Sequence, residues 1–138
     1  MGLFTKTFNI QNGNLKKYNK NQEVVTIPNK VQVVGIYAFQ DKTQVKTVLL
    51  PEGLRIIEFG AFAGCKNLAN ITLPDGLETI HSYAFQECKG LTALTIPDSV
   101  TTIGESAFIN CRNLTIVASV GSVAEQYAKD HDIPFQAK

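Results

Sequence analysis

The three cysteines of this 138-residue chain are its most reactive side chains, and their spacing limits the chemistry that they could do. Cys65, Cys88 and Cys111 lie 23 residues apart, whereas zinc sites usually draw on close pairs such as Cys-x-x-Cys. An odd number leaves at least one thiol unpaired, and equally spaced side chains that project in parallel suit a disulfide poorly. We therefore expect three free, inward-packed thiols that act as small apolar side chains, with no bound metal or cofactor.

The two histidines offer no catalytic arrangement either. His81 and His131 stand apart from any Ser-His-Asp or Cys-His pairing, the pattern that activates a nucleophile. The chain has Glu58 and Gly104 at 23 residues before and after His81, so this position does not require an imidazole. Because no acid, base and nucleophile converge, the sequence predicts a protein that is not an enzyme and has no catalytic residues.

An acidic row recurs at the same step. Glu52, Asp75 and Asp98 each follow a proline, and like charges about 5 Å apart could hold Ca²⁺, which binds several oxygen ligands. Acidic residues at these points also favour a turn. We interpret the row as turn-forming, with a calcium site as the alternative.

A basic row recurs at the same step as the acidic one. Lys66, Lys89 and Arg112 each follow a cysteine. Positive charge repeated at a fixed spacing could bind an acidic protein or a polyanionic glycan through several contacts at once. The simpler interpretation is a solvated row whose charge is balanced by neighbouring acids such as Glu87.

All these spacings belong to one internal repeat of 23 residues, and such repeats predict a solenoid of stacked coils. In one copy, Leu94 and Ile96 alternate with Thr95, which is the pattern of a short strand. A proline ends that strand, a second short extended segment follows, and one helical or 3₁₀ turn then directs a phenylalanine inward. The repeated columns include Pro28, Pro51, Pro74 and Pro97, then Phe39, Phe62, Phe85 and Phe108, then Val34, Ile57, Ile80 and Ile103.

Residues 1–23 break the repeat and are predicted to cap the N-terminal end. Phe4, Phe8 and Ile10 lie on one face of an extended run, and Asn12-Gly13 is a strong hairpin signal. The prediction is a β-hairpin that covers the open strand edges and the core of the first coil.

Residues 115–138 are predicted to cap the other end. Ser122 and Glu125 have the spacing of a capping box, so a helix is expected over about 122–130, with Val123 and Tyr127 on one face. Residues 24–114 then hold four repeats. We expect one domain over residues 1–138: a leucine-rich-repeat solenoid, mainly β, with short helical or 3₁₀ turns.

The outward strand positions form the candidate binding face. Concave faces of solenoids are where such proteins usually bind, although threonine is also simply a good strand former. The face has no aromatic or arginine anchor, so we expect weak, extended contact assisted by the main chain. Its residues are Val24, Thr26, Thr47, Leu49, Asn70, Thr72, Ala93 and Thr95.

One copy reads Leu-x-x-Leu-x-Ile-Pro-x-x-Val-x-x-Ile-Gly-x-x-Ala-Phe-x-x-Cys-x-x-Leu, which resembles the BspA-like class of leucine-rich repeats, the TpLRR type. The resemblance covers about residues 24–114, and the segments 15–18 and 121–128 resemble flanks seen in that family. The first repeat departs from the pattern, with Lys42 at the cysteine position. The resemblance implies a non-enzymatic, mostly bacterial protein, often secreted or at the cell surface, that adheres to host matrix or to other cells.

The net charge and the hydropathy of the chain limit the classes of partner that it is expected to bind. A net charge of +1 gives no general attraction to nucleic acid or to anionic membranes. No stretch approaches the ~18 apolar residues of a membrane span, and the first residues lack the apolar run of a secretory signal. We expect a protein or glycan partner, no nucleic acid and no membrane insertion. A cell-surface adhesion module is the leading hypothesis, and an intracellular or self-associating scaffold in the cytoplasm is the alternative.

Overall fold

Each 23-residue repeat forms one coil of a β-solenoid in the structure, a computed structural model that describes residues 6–138. Phe4 lies outside the described residues. The strands are β1 (Phe8–Gln11), β2 (Asn14–Tyr18), β3 (Val24–Thr26), β4 (Val33–Val34), β5 (Thr47–Leu49), β6 (Ile56–Ile57), β7 (Asn70–Ile71), β8 (Thr79–Ile80), β9 (Ala93–Thr95), β10 (Thr102–Ile103), β11 (Thr115–Ala118) and β12 (Phe135–Ala137). The helix is α1 (Val123–Asp130).

The predicted N-terminal hairpin is confirmed. Asn12 and Gly13 both have positive φ, at 51° and 78°, as a type I′ turn requires. β1 and β2 pair in antiparallel fashion, with a shift of register between Asn9 and Ile10. β2 then pairs in parallel with β4, so the hairpin covers the edge that the first coil would otherwise leave open.

Parallel strands one coil apart build the walls of the solenoid. One sheet has six strands in the order β1-β2-β4-β6-β8-β10, and the other wall consists of two three-stranded sheets, β3-β5-β7 and β9-β11-β12. In the six-stranded sheet Val34, Ile57 and Ile80 lie in register, and all three side chains are fully buried. The repeated apolar columns of the sequence are therefore continuous rows in the core.

A stack of aromatic rings forms the centre of the core. The four repeat phenylalanines are buried, and neighbouring rings lie 4.9–5.4 Å apart between centroids, in stacked geometry. Two tyrosines that are outside the 23-residue register extend the stack. Tyr18 of the hairpin lies 4.8 Å from Phe39, and Tyr127 of α1 meets Phe108 edge-on at 6.0 Å. The caps thus continue the core as well as covering it.

The segment before each repeat cysteine is a run of turns. Between Gly104 and Cys111, i→i+3 hydrogen bonds of 3.1–3.2 Å follow one another, but Ser106 and Asn110 have positive φ. These left-handed residues interrupt the helical path, so successive turns take the place of the expected single helical or 3₁₀ turn. Within residues 6–138, α1 is the only regular helix.

The C-terminal helix begins as the capping box predicts, with one difference. The hydroxyl of Ser122 accepts a hydrogen bond from the Glu125 N–H at 3.1 Å. The Glu125 carboxylate, however, accepts from the N–H of Gly121 at 2.7 Å, one residue before the N-cap. The N–H of Ser122 is already bonded to the carbonyl oxygen of Ser119, which leaves Gly121 as the free donor.

The face of α1 that packs against the core is not the one expected from the sequence, which had Val123 and Tyr127 together. Ala124, Tyr127 and Ala128 are buried, whereas Val123 is 42 % exposed. α1 packs against β10 and β11, and that contact selects the second, fifth and sixth residues of the helix. After α1 the chain returns as β12, which pairs in parallel with β11 and completes the last sheet.

Candidate interaction surfaces

The predicted outward face lies on β3, β5, β7 and β9, with Thr72 just after β7. Its residues alternate with buried ones such as Val25, Val48 and Leu94, as strand geometry requires. Thr47 is half-buried and the other seven residues are exposed. Val24 and Leu49, at 58 % and 52 % exposure, give the first part of the face an apolar character.

Three shallow depressions follow this face, with volumes of about 560, 210 and 310 Å³. Leu49 and Thr72 line the first, Asn70 the second, and Thr95 the third. The surface is therefore grooved along the direction in which the coils stack.

Strand pairing beneath the face is interrupted between β7 and β9. β3 and β5 share three paired residues, β5 and β7 share two, and none pairs β7 with β9 in the described chain. At or just before the start of the other strands of this wall, a backbone N–H donates to the preceding coil. These bonds join Lys46 to Glu23, Ala69 to Lys46 and Thr115 to Thr92 at 2.8–2.9 Å. The equivalent bond from Thr92 to Ala69 is missing from the described residues.

A glycine marks the interruption. The Asn67 and Asn113 side chains donate to the Thr43 and Lys89 carbonyl oxygens of the preceding coil, at 2.7 and 3.2 Å. Gly90 occupies the equivalent position between them and has no side chain to donate. The side-chain bond between coils is therefore also absent at the interruption.

An exposed aromatic cluster lies outside the surfaces predicted from the sequence. Tyr37 and Phe59 are 42 % and 37 % exposed, and their ring centroids lie 5.6 Å apart in an edge-on arrangement. Phe59 also contacts Tyr83, at 5.2 Å. A Cβ at Gly60 would lie 2.4 Å from the Tyr37 ring, so glycine makes room for that ring. With exposed Ile36 beside Tyr37, this surface supplies the anchors that the strand face lacks.

The two charged rows are both at the surface. Lys66 and Arg112 are exposed and Lys89 is half-buried, and none of the three forms an ion pair within the described chain. Glu87, the acid expected to balance the row, likewise forms no ion pair with a described residue. The solvated interpretation of the basic row and the interpretation as a binding row therefore both stay predictions.

The acidic row borders the grooved face. Glu52 and Asp75 line the depression of about 560 Å³, and Asp98 lies 3.9 Å from the Lys138 ammonium. Across residues 6–138, no three His, Cys, Asp or Glu side chains converge as ligands of one ion would. The alternative of a calcium site in this row gains no support from the geometry.

Comparison with known proteins places this architecture in a family. The model of the BspA-type leucine-rich repeat region matches residues 6–128 in six copies. The chain belongs to the BspA-type leucine-rich repeat family. This fold is generally a non-enzymatic protein-interaction fold. No relative among curated proteins matches the chain. In the described part of this BspA-type chain, no helix has the length and apolar character needed to cross a bilayer.

Several solved bacterial structures resemble this chain. The leucine-rich repeat protein TpLRR of T. pallidum has a TM-score of 0.66 and 28 % identity over 75 % of this chain and 62 % of its own. The pneumococcal vaccine antigen PcpA has a TM-score of 0.75 and 31 % identity over 80 % of this chain and 28 % of its own. A leucine-rich cell surface protein of Faecalibacterium prausnitzii A2-165 has a TM-score of 0.55 and 30 % identity over 83 % of this chain and 37 % of its own. The chain thus spans less than two thirds of the length of each of these three proteins.

The cysteines of the BspA-type repeats have a bonding role. Cys65, Cys88 and Cys111 donate from their thiols to the carbonyl oxygens of Phe39, Phe62 and Phe85, at 3.2, 3.3 and 2.9 Å. Burial raises the pKa of Cys65 to about 12 and that of Cys111 to about 11. All three thiols are free, and they are poor nucleophiles because they stay protonated. Lys42, which replaces cysteine in the first repeat, places its ammonium 5.6 Å from the centroid of the Tyr18 ring.

Each histidine lies beside a carboxylate. His81 is 3.5 Å from Glu58 in the neighbouring coil. The His131 ring stacks on Tyr127 at 3.9 Å, with Nδ1 2.9 Å from the Tyr127 carbonyl oxygen and Nε2 3.2 Å from Glu105. Desolvation lowers the pKa of His131, but the hydrogen bonds to Tyr127 and Glu105 outweigh it and raise the pKa above its ordinary value. The contact of His131 with Glu105 ties the C-terminal cap to the last coil.

Proposed function

We propose that this chain is the ligand-binding part of a bacterial cell-surface adhesion protein, and that its outward strand face contacts the ligand. In this proposal residues 24–114 are the binding repeats, and 1–23 and 115–138 are caps of the same domain. Membership of an interaction-type repeat family supports the general class. The description of a similar protein from Faecalibacterium prausnitzii as a cell surface protein supports the location.

One observation carries the choice of surface: the outward face is exposed, grooved and free of charged residues on its strands. Small threonine, asparagine and alanine side chains let an extended ligand approach the strands closely. Val24 and Leu49 provide apolar area at one end of the face. Around Thr72, Leu73 and Thr92, backbone groups that pair in the other coils are left to bind a ligand's main chain. The expected ligand is a matrix protein or glycan of a host or of another cell.

The reduced cysteines do not favour the alternative of an intracellular scaffold. Cys65 and Cys88 are buried, Cys111 is half-buried, and all three thiols stay protonated and bonded to a carbonyl oxygen, so they resist oxidation in an oxidising compartment as well as in the cytoplasm. The thiols therefore do not distinguish the two locations.

Location and surface are tested together. Surface-protease shaving of intact source cells should remove the chain; its persistence in the cytosolic fraction alone would overturn the adhesion proposal. Purified protein is then screened against immobilised matrix proteins and glycans. Thr72→Lys should weaken capture at least tenfold, because a bulky charge fills the groove. Thr101→Lys, an exposed threonine before β10, is the matched control and should leave capture unchanged.

A further inference from the structure

A cavity of about 450 Å³ lies at the end of the solenoid, between the last run of turns and the segment that follows α1. Phe108, Leu114 and Ile133 contribute apolar wall, and Asn110 and Arg112 contribute polar groups. Small-molecule sites are typically of roughly 300–1,000 Å³, mostly apolar, with few polar groups. The cavity has the volume of such a site, its lining is both apolar and polar, and none of its lining residues belongs to the outward strand face.

The repeat itself identifies an open hydrogen-bond donor in this cavity. In three successive coils the equivalent backbone N–H donates to the next coil at 2.8 Å. These bonds join Asp41 to Ala63, Gly64 to Gln86 and Glu87 to Ile109. The next residue in the series is Asn110, and its N–H has no acceptor among the described residues. The C-terminal cap covers the neighbouring donor through the Tyr127 hydroxyl, which accepts from the Ala107 N–H, and leaves Asn110 uncovered.

An unpaired cation lies next to this donor. Arg112 is two residues further along the chain, lines the same cavity and forms no ion pair within residues 6–138. A guanidinium binds a carboxylate through two parallel hydrogen bonds, and a backbone N–H adds a third. His131 also lines the cavity, but its two ring nitrogens already face Tyr127 and Glu105. Its ring therefore forms part of the cavity wall and does not bind the ligand through a ring nitrogen.

We propose that this cavity binds a carboxylate carried on an apolar body, with Arg112 and the Asn110 N–H as the anion contacts. The apolar part lies against Phe108, Leu114 and Ile133. The carboxylate comes either from a free carboxylic acid or from the C-terminus of a peptide. Asp132 also lines the cavity, and its negative charge opposes binding. The site does not depend on the outward strand face, so either proposal can fail while the other holds.

Titrations followed by amide and arginine side-chain NMR test the chemistry directly. The probes are 4-phenylbutyrate and a tripeptide that ends in phenylalanine with a free carboxylate, each beside its neutral amide. The acids should shift the resonances of Asn110 and Arg112, and the amides should not. Binding of the small acid alone, or of the peptide alone, identifies the source. If neither acid binds at millimolar concentration, or if the amides bind equally well, the proposal is wrong.

Three variants of the full chain then test the assigned contacts. Arg112→Gln should lower the affinity for the acids about tenfold or more, as loss of a charge-assisted pair does. Lys89→Gln removes the same charge from the preceding coil, away from the cavity, and should change affinity less than about twofold. Asp132→Asn should tighten binding. If Lys89→Gln weakens binding as much as Arg112→Gln, general attraction to the basic row replaces a specific site.

Discussion

The thiol of Cys88 donates a hydrogen bond to the carbonyl oxygen of Phe62, 3.3 Å away in the preceding coil. Cys88 is fully buried, and burial raises the pKa of its thiol far above the usual range. The side chain is therefore a neutral donor at neutral pH. The cysteine column thus joins the coils by hydrogen bonds in addition to filling space.

Cys88→Ala should lower the free energy of unfolding by about 1–2 kcal/mol, because the core loses a sulfur atom and one hydrogen bond. Urea unfolding measures the loss. Cys111→Ala removes the same kind of bond from a half-buried thiol, so its loss should be smaller. An equal loss at both positions would contradict the contribution of burial.

Phe85→Ala should cost about 3–5 kcal/mol, since a fully buried ring is lost from the middle of the stack. Its ring lies 5.4 Å from both Phe62 and Phe108, so a cavity forms with apolar rings on two sides. Urea unfolding should also show a loss of under about 1 kcal/mol for the control Phe59→Ala, whose ring is partly exposed. A cost below about 1 kcal/mol at Phe85 would refute the role of the stack.

Gly90→Ala should destabilise the protein by about 1–3 kcal/mol, because a Cβ there would lie 2.9 Å from the carbonyl oxygen of Leu68. Gly90→Asn brings the same clash but also an amide that can bond to the Lys66 carbonyl oxygen, as Asn67 does one coil earlier. Thermal unfolding should therefore rank the wild type first, then Asn, then Ala. If the Gly90→Asn variant proves more stable than the wild type, the backbone has moved to accept the side chain and the predicted clash is wrong.

The contacts of His131 predict a pH dependence. Its pKa is raised in the folded chain, so its contribution is fully present below the unfolded value near 6.5 and is lost as pH rises through the folded value. Between pH 8 and pH 6 the wild type should gain more stability than His131→Gln. Urea unfolding at the two pH values measures this difference. Glu105→Gln removes the carboxylate partner and should reduce the gain as well. Equal gains in wild type and His131→Gln would show that His131 does not titrate on unfolding.

The repeating part of the fold was predictable because every coil presents the same columns to its neighbours. Pro97, Ile80 and Phe85 each occupy a position fixed by the 23-residue step, so period and spacing define both strand and core. The two caps were predictable in type, since Asn12-Gly13 and Ser122 have strong local preferences of their own. The side of α1 that packs depends on tertiary contact, which explains why the exposure of Val123 was missed.

The aromatic cluster was missed for a different reason. Its rings come from two adjacent columns: Phe59 from one, Tyr37 and Tyr83 from the next. Neither column is uniformly aromatic, because Gly60 lies between the two tyrosines in theirs. Tyr37 and Tyr83 both have left-handed backbone, with φ of 53° and 60°, and both rings lie beside Phe59. The residues at one repeat position predict contacts along that column, but they do not predict contacts between side chains of two different columns.

The missing pairing between β7 and β9 also bears on how the molecule comes apart. In a repeat protein each coil is stabilised mainly by its two neighbours, so the weakest junction separates the cooperative folding units. The six-stranded sheet, the aromatic stack and the Cys88–Phe62 hydrogen bond still cross this junction, but the strand pairing of the other wall is absent there. Under mild denaturation or mechanical tension, we expect the chain to part into two halves there. Each half would keep its own cap and its own three-stranded sheet.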